Sequence, residues 1–125
     1  MILVDTSIWI DFIRSGFDQH LDYLLKGESV VVHDFVIGEI AMGSLKRRES
    51  RLAMLRDLHR IPTASDIEVM TLVESAKLFG VGLSYIDVHL LAATRASGDF
   101  EPVRLWTRDK ALKVQSERLG VAYEP

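Results

Sequence analysis

Apolar residues in this chain form short unbroken runs and longer stretches with helical spacing. Residues 2–4 and 29–32 contain consecutive apolar, mostly β-branched positions without polar alternation, which is typical of strands covered on both faces. After the first run, Ile8, Trp9, Phe12 and Ile13 follow at the spacing of an amphipathic helix. The pattern therefore predicts a buried strand followed directly by a helix that packs against it.

The same spacing recurs along the chain, and each predicted helix ends at a glycine, a proline or a polar cap. The predicted helices span residues 7–14, 18–26, 35–42, 45–58, 64–79, 85–96 and 110–119, and two further strands are predicted at 103–107 and 121–123. Strands separated by helices throughout indicate a parallel sheet with helices on both faces. We therefore expect an α/β fold, with one domain spanning residues 1–125. Its central parallel sheet has four to five short strands flanked by helices in three layers.

The composition of the 125-residue chain limits the chemistry that it can support. Cysteine is absent, which excludes thiol catalysis, thiolate zinc sites and disulfides and is compatible with a reducing cytoplasm. No apolar run is long enough to span a bilayer, so no membrane partner is expected. The formal net charge of −3 gives no evidence for a nucleic-acid partner, although carboxylates that hold a cation would mask local basic patches in this total.

Four carboxylates occur next to apolar residues, where a charge is costly unless it is paired or binds a cation. They are Asp5, Glu39, Asp87 and Asp109. Two follow predicted strands and two fall in predicted early helical turns, so the fold can bring all four to one rim of the sheet. An all-oxygen site suits Mg²⁺ or Mn²⁺ rather than zinc, and such an ion supports phosphodiester hydrolysis by an activated water. The alternative is that a single member caps a helix or pairs with an arginine, which we expect for any one of them but not for all four.

Each of the four carboxylates lies in a characteristic segment of the chain: Met1-Ile2-Leu3-Val4-Asp5-Thr6-Ser7, Gly38-Glu39-Ile40, Leu83-Ser84-Tyr85-Ile86-Asp87 with Leu90-Leu91-Ala92-Ala93, and Thr107-Arg108-Asp109. In these segments the sequence resembles the PIN-domain ribonucleases and, within them, the VapC-type toxins of toxin–antitoxin pairs. The segments occur in the family's order and span the whole chain. The segment Lys110-Ala111-Leu112 departs from the acidic or aromatic residues that usually follow the last aspartate.

The resemblance implies a Mg²⁺-dependent endoribonuclease, selective for single strands and commonly a homodimer, that a cognate antitoxin silences by occupying its active-site groove. It implies metal ligation by Asp5 and Asp87, with Glu39 and Asp109 completing the catalytic pocket. The hydroxyls of the supporting residues Thr6 and Thr107 would orient carboxylates or waters.

The sequence alone leaves other interpretations open. A catalytically inactive PIN-like module that binds RNA or protein would have the same fold. A receiver-like signalling domain or an aspartate-nucleophile phosphatase is disfavoured because Asp5 is followed by Thr-Ser rather than by further acids. The basic residues between positions 46 and 60 either track an RNA backbone or form a solvated helix face. For Trp9 and Trp106, which lie in apolar stretches, core packing is favoured over base stacking.

Overall fold

A parallel sheet of four short strands lies at the centre of the protein. The computed structural model describes residues 1–98 and 101–125. In it the strands are β1 (Ile2–Val4), β2 (Val30–Val32), β3 (His59–Arg60) and β4 (Arg104–Trp106), arranged in the order β3-β2-β1-β4. β1 and β2 are buried along their whole length, as their unbroken apolar sequences predict.

Helices connect and flank the strands. They are α1 (Thr6–Ser15), α2 (Gln19–Lys26), α3 (Asp34–Ala41), α4 (Arg48–Asp57), α5 (Asp66–Ala76), α6 (Tyr85–Ala96) and α7 (Lys110–Arg118). Apolar side chains of the helices and the sheet form one core, in which Trp9, Leu55 and Leu90 are fully buried. The predicted α/β class is confirmed, and the core position of Trp9 agrees with its sequence context. Within the described ranges, no helix combines the length and the apolar character that crossing a membrane would require.

Two predictions of strands need correction. β3 was not predicted, because its two residues are exposed and polar and carry no apolar pattern. The strand exists because its backbone pairs with the edge of β2, where Val31 lies opposite His59 and the Ile61 N–H donates to the Val32 carbonyl at 3.0 Å. The strand predicted at 121–123 is reduced to a single parallel bridge between Leu105 and Ala122.

Two predicted helix boundaries were also wrong. α4 begins at Arg48 rather than at residue 45, because Arg47 is left-handed with φ 55° and the Arg48 guanidinium donates to the Ala41 carbonyl at the end of α3. α5 ends at Ala76 rather than at residue 79, because Lys77 is left-handed as well and closes the helix. Both helix ends are set by the left-handed backbone of an arginine or a lysine. Sequence does not predict this, because both residue types ordinarily favour helix.

Candidate active site

The carboxyl ends of β1 and β4 meet at one edge of the sheet, because Val4 pairs with Trp106. Asp5 follows β1 directly, and its backbone N–H donates to the Trp106 carbonyl at 2.9 Å. Thr107 follows β4, and its hydroxyl donates to the Asp5 carboxylate at 2.7 Å. Residues from opposite ends of the chain are thus joined at this rim.

Neutral donors hold the Asp5 carboxylate, which is only 6% exposed. Ser7 Oγ and Thr107 Oγ1 both donate to Oδ2, at 2.8 and 2.7 Å. Asp5 occupies the N-cap position of α1, but its carboxylate accepts no capping bond from the backbone of that helix. The two hydroxyls orient the buried charge but leave it uncompensated, because each is neutral.

Glu39 approaches the same rim from α3. Its Oε1 accepts a hydrogen bond from the Thr6 hydroxyl at 2.9 Å, which links α3 to the start of α1. Partial desolvation raises the pKa of Glu39, and the negative charges of Asp5 and Asp87 raise it further against the opposing effect of the Thr6 bond. The expectation that Glu39 lies in an early helical turn was wrong, because it is the sixth of eight residues in α3 and is exposed.

Asp87 belongs to the first turn of α6, where it forms a capping box with Ser84. The Ser84 N–H donates to Asp87 Oδ2 at 2.9 Å, and the Asp87 N–H donates to Ser84 Oγ at 3.1 Å. Burial raises the pKa of Asp87, the bonds to Ser84 lower it, and the charges of Asp5 and Asp109 raise it. Asp87 therefore caps α6 and also lies near other negatively charged carboxylates.

Asp109 is exposed and forms the N-cap of α7, where its Oδ1 accepts from the Leu112 N–H at 2.9 Å. Its backbone N–H donates to the Thr107 hydroxyl at 3.0 Å, so that hydroxyl connects Asp109 to Asp5. Asp87 and Asp109 thus cap helices, which is the alternative role that the sequence predicted for any single carboxylate.

The four carboxylates share one rim, where burial raises the pKa values of Glu39 and Asp87 and the charges of neighbouring carboxylates raise them further. In residues 1–98 and 101–125, no lysine or arginine forms an ion pair with any of the four. In the same ranges, no group of three or more acidic or histidine side chains has the arrangement of a formed metal site. The all-oxygen donor set fits a hard divalent cation chemically, but the capping side chains would have to turn to complete it.

Sequence reasoning missed two residues at this rim. Ser7 donates to Asp5 and accepts from the Arg108 N–H at 3.1 Å, a role that its position two residues after Asp5 suggests. The guanidinium of Arg108 does not compensate the rim, because Asp11 and Asp18 accept its hydrogen bonds at 2.7 and 2.9 Å. Nothing in the sequence distinguishes those two aspartates as its partners.

The raised pKa of Asp87 predicts how the metal-free protein responds to pH. A carboxyl whose pKa is raised in the folded state stabilises the fold fully below its unfolded pKa of about 3.9, and this contribution is lost as the pH rises through the folded value. Asp87→Asn keeps an oxygen for the Ser84 N–H but carries no charge. In EDTA we expect the variant to unfold about 1–4 °C above the parent protein at pH 8, with no gain at pH 3.5.

The matched control is Glu68→Gln, because Glu68 forms the other capping box, with Ser65, on α5. Thermal unfolding followed by circular dichroism between pH 3.5 and pH 8 measures both variants. A gain for Asp87→Asn that does not depend on pH, or an equal gain for Glu68→Gln, would show that the gain does not come from the burial of Asp87 and its like-charged neighbours.

Comparison with curated proteins identifies a similar protein from Mycobacterium tuberculosis, Ribonuclease VapC32, in strains CDC 1551 / Oshkosh and ATCC 25618 / H37Rv. The identity is 42% over 122 residues, which cover 98% of this chain and 95% of the relative. No protein-family model matches the chain. The similarity therefore extends over nearly the full length of both proteins.

Proposed function

Because this chain belongs to the VapC-type PIN-domain ribonucleases, we propose that it is the toxin of a toxin–antitoxin pair and hydrolyses RNA phosphodiester bonds at the rim that carries Asp5. The observation that supports this site is the gathering of Asp5, Glu39, Asp87 and Asp109 without a basic partner in the described ranges. Like charges held together cost free energy unless a cation compensates them, and a catalytic cation is a reason to keep them.

The proposed cofactor is Mg²⁺, with Mn²⁺ as an alternative, held by Asp5 and Asp87 while Glu39 and Asp109 complete the pocket. When bound, such an ion activates a water molecule and neutralises charge that develops on the phosphate. Asp5 would offer Oδ1 to the ion, since both hydroxyl bonds go to Oδ2. Glu39 is suited to receive a proton at Oε2, because its pKa is raised and Oε1 already accepts from Thr6.

The basic segment provides a surface for the RNA backbone. Three of its arginines are engaged within the protein. Arg48 donates to the Ala41 carbonyl, Arg60 pairs with Asp34, and the Arg51 guanidinium lies 5.7 Å from the centroid of the Phe12 ring. The other three have no carboxylate partner within 4.0 Å among the described residues: Lys46, Arg47 and Arg56. Unpaired cations suit phosphates, and each phosphate contact releases counterions from the nucleic acid.

We further propose that the protein forms a homodimer in the cytoplasm and that a cognate antitoxin covers the rim. Exposed apolar side chains support an interface, since Ile67 on α5 is 78% exposed and Phe79 is 61% exposed. We expect light scattering at micromolar concentration to give twice the chain mass of 14.1 kDa. A mass of one chain would contradict the dimer without affecting the proposed chemistry.

The decisive test is cleavage of RNA by the purified protein. End-labelled single-stranded RNA incubated with protein and Mg²⁺ should give discrete fragments, and a duplex of the same sequence should resist. Brief induction of the protein in cells that lack its antitoxin, followed by sequencing of new RNA 5′ ends, would identify the sites cut. RNA that binds but stays intact under all metal conditions would favour the inactive PIN-like module instead.

A further inference from the structure

Tyr85 presents an aromatic ring to solvent at the start of α6, two residues before the rim carboxylate Asp87. It is the first residue of α6 and is 48% exposed, although its hydroxyl donates to Asp66 Oδ1 at 2.5 Å. Its ring meets the buried ring of His89 nearly at right angles, with centroids 4.7 Å apart. The side chain is thus fixed at its tip and on one side, while about half of its surface remains uncovered.

Tyr85 ends a row of three rings that links α6 to α3. Phe35 on α3 packs against His89 with the ring centroids 4.6 Å apart, again in a nearly perpendicular arrangement. Phe35 lies four residues before Glu39 on α3, so both project from the same face of that helix. Tyr85 and Asp87 share the first turn of α6. Both helices therefore carry an aromatic residue within about one helical turn, or about 5 Å along the axis, of a rim carboxylate.

The other aromatic residues near the rim are not available in this way. Trp106, which precedes Thr107, is 5% exposed, and Trp9 on α1 is fully buried. Both are core residues, as their sequence contexts predicted. Tyr85 escaped sequence analysis because it lies within the Leu83–Asp87 motif and its exposure depends on how α6 packs against α5.

We propose that Tyr85 is a base-stacking residue that positions the RNA strand beside the site of cleavage. A fixed aromatic ring loses little conformational entropy on binding, and its face stacks on any base. A base is also the part of RNA that suits this place, because Asp66, which accepts the Tyr85 hydroxyl bond and is not one of the proposed metal ligands, repels phosphates while a base carries no charge. This inference rests on the proposed ribonuclease function.

The test compares two probes that share their phosphates but differ in their bases. One is a fluorescein-labelled 12-nucleotide oligoadenylate, and the other is a 12-unit abasic ribose-phosphate strand. Binding is measured by anisotropy with the Asp5→Asn protein, which prevents cleavage. Tyr85→Ala should weaken oligoadenylate binding by about 5- to 100-fold, the effect of losing one base stack, and leave the abasic strand unchanged. Tyr85→Phe, which keeps the ring, should stay within about threefold of the parent.

Tyr23→Ala on α2 is the matched control, because Tyr23 is 70% exposed and its neighbouring aromatic ring is that of His20 rather than a ring of the Phe35–Tyr85 row. It should change neither probe. With Asp5 intact, Tyr85→Ala should raise KM for RNA and leave kcat within about threefold, since binding rather than chemistry is affected.

Several results would overturn the inference. Unchanged oligoadenylate binding by Tyr85→Ala would exclude base stacking on Tyr85. An equal loss of affinity for the abasic strand would indicate a contact with the RNA backbone or a folding defect instead. A change in molecular mass caused by Tyr85→Ala would assign the ring to a protein interface. If the unsubstituted protein neither binds nor cuts RNA, the proposed function itself fails and the stack fails with it.

Discussion

Asp5→Asn is expected to reduce RNA cleavage by at least about 100-fold. Loss of a group that only supports a metal ligand costs about 10–100-fold, and Asp5 is the proposed ligand itself. Asparagine keeps the shape and an oxygen for the hydroxyls of Ser7 and Thr107, which donate to Asp5 at 2.8 and 2.7 Å. It removes the negative charge on which cation binding depends and places an NH2 group where the proposed ligand atom Oδ1 lies.

The fold should survive this substitution. Asp5 is 6% exposed and has no basic partner among the described residues, so removal of its charge breaks no ion pair. We expect the unfolding midpoint of Asp5→Asn to equal or exceed that of the parent in EDTA. Asp22→Asn is the control, because Asp22 pairs with Lys26 on the surface of α2. Cleavage that persists in Asp5→Asn, or is lost equally in Asp22→Asn, would contradict the assignment.

Much of the fold follows from the sequence because its signals are local. The unbroken apolar runs at residues 2–4 and 30–32 specify buried strands, and α6 begins at Tyr85, as its sequence predicts. The placement of Asp5 after β1 also follows from sequence, since a helix must leave the strand there. Features decided by distant residues could not be predicted. β3 depends on the edge of β2, and the start of α4 depends on Arg48 reaching back to Ala41.

The candidate site likewise has features that the sequence predicts and features that depend on tertiary contacts. Residue types and spacing single out Asp5, Glu39, Asp87 and Asp109, whereas what each one contacts is a tertiary property. Sequence did not predict that Glu39 would be exposed while Asp5 is buried, or that Arg108 would be bound by two aspartates outside the site. The exposed ring of Tyr85 depends in turn on the docking of α6 against α5. Burial and pairing decide the chemistry of a carboxylate, so sequence alone gives candidates rather than roles.

Removal of divalent metal is expected to abolish cleavage, and addition of Mg²⁺ or Mn²⁺ to restore it. The same ions should stabilise the folded protein, because they bind carboxylates that are close together only in that state. At ten times the dissociation constant, one bound ion contributes about 1.4 kcal/mol, which corresponds to a rise of about 3–6 °C in the unfolding midpoint of a domain of this size.

This stabilisation should depend on the charge that the rim carries. Protons compete with the ion for Glu39 and Asp87, whose pKa values are raised, so the rise in midpoint should be larger at pH 8 than at pH 5. Asp5→Asn should lose most of it, and NaCl at matched ionic strength should not reproduce it. Cleavage undiminished in EDTA, or an equal Mg²⁺ effect on Asp5→Asn, would show that the carboxylates serve another purpose. The two readouts are independent, because the first follows turnover and the second follows binding to a protein that need not react.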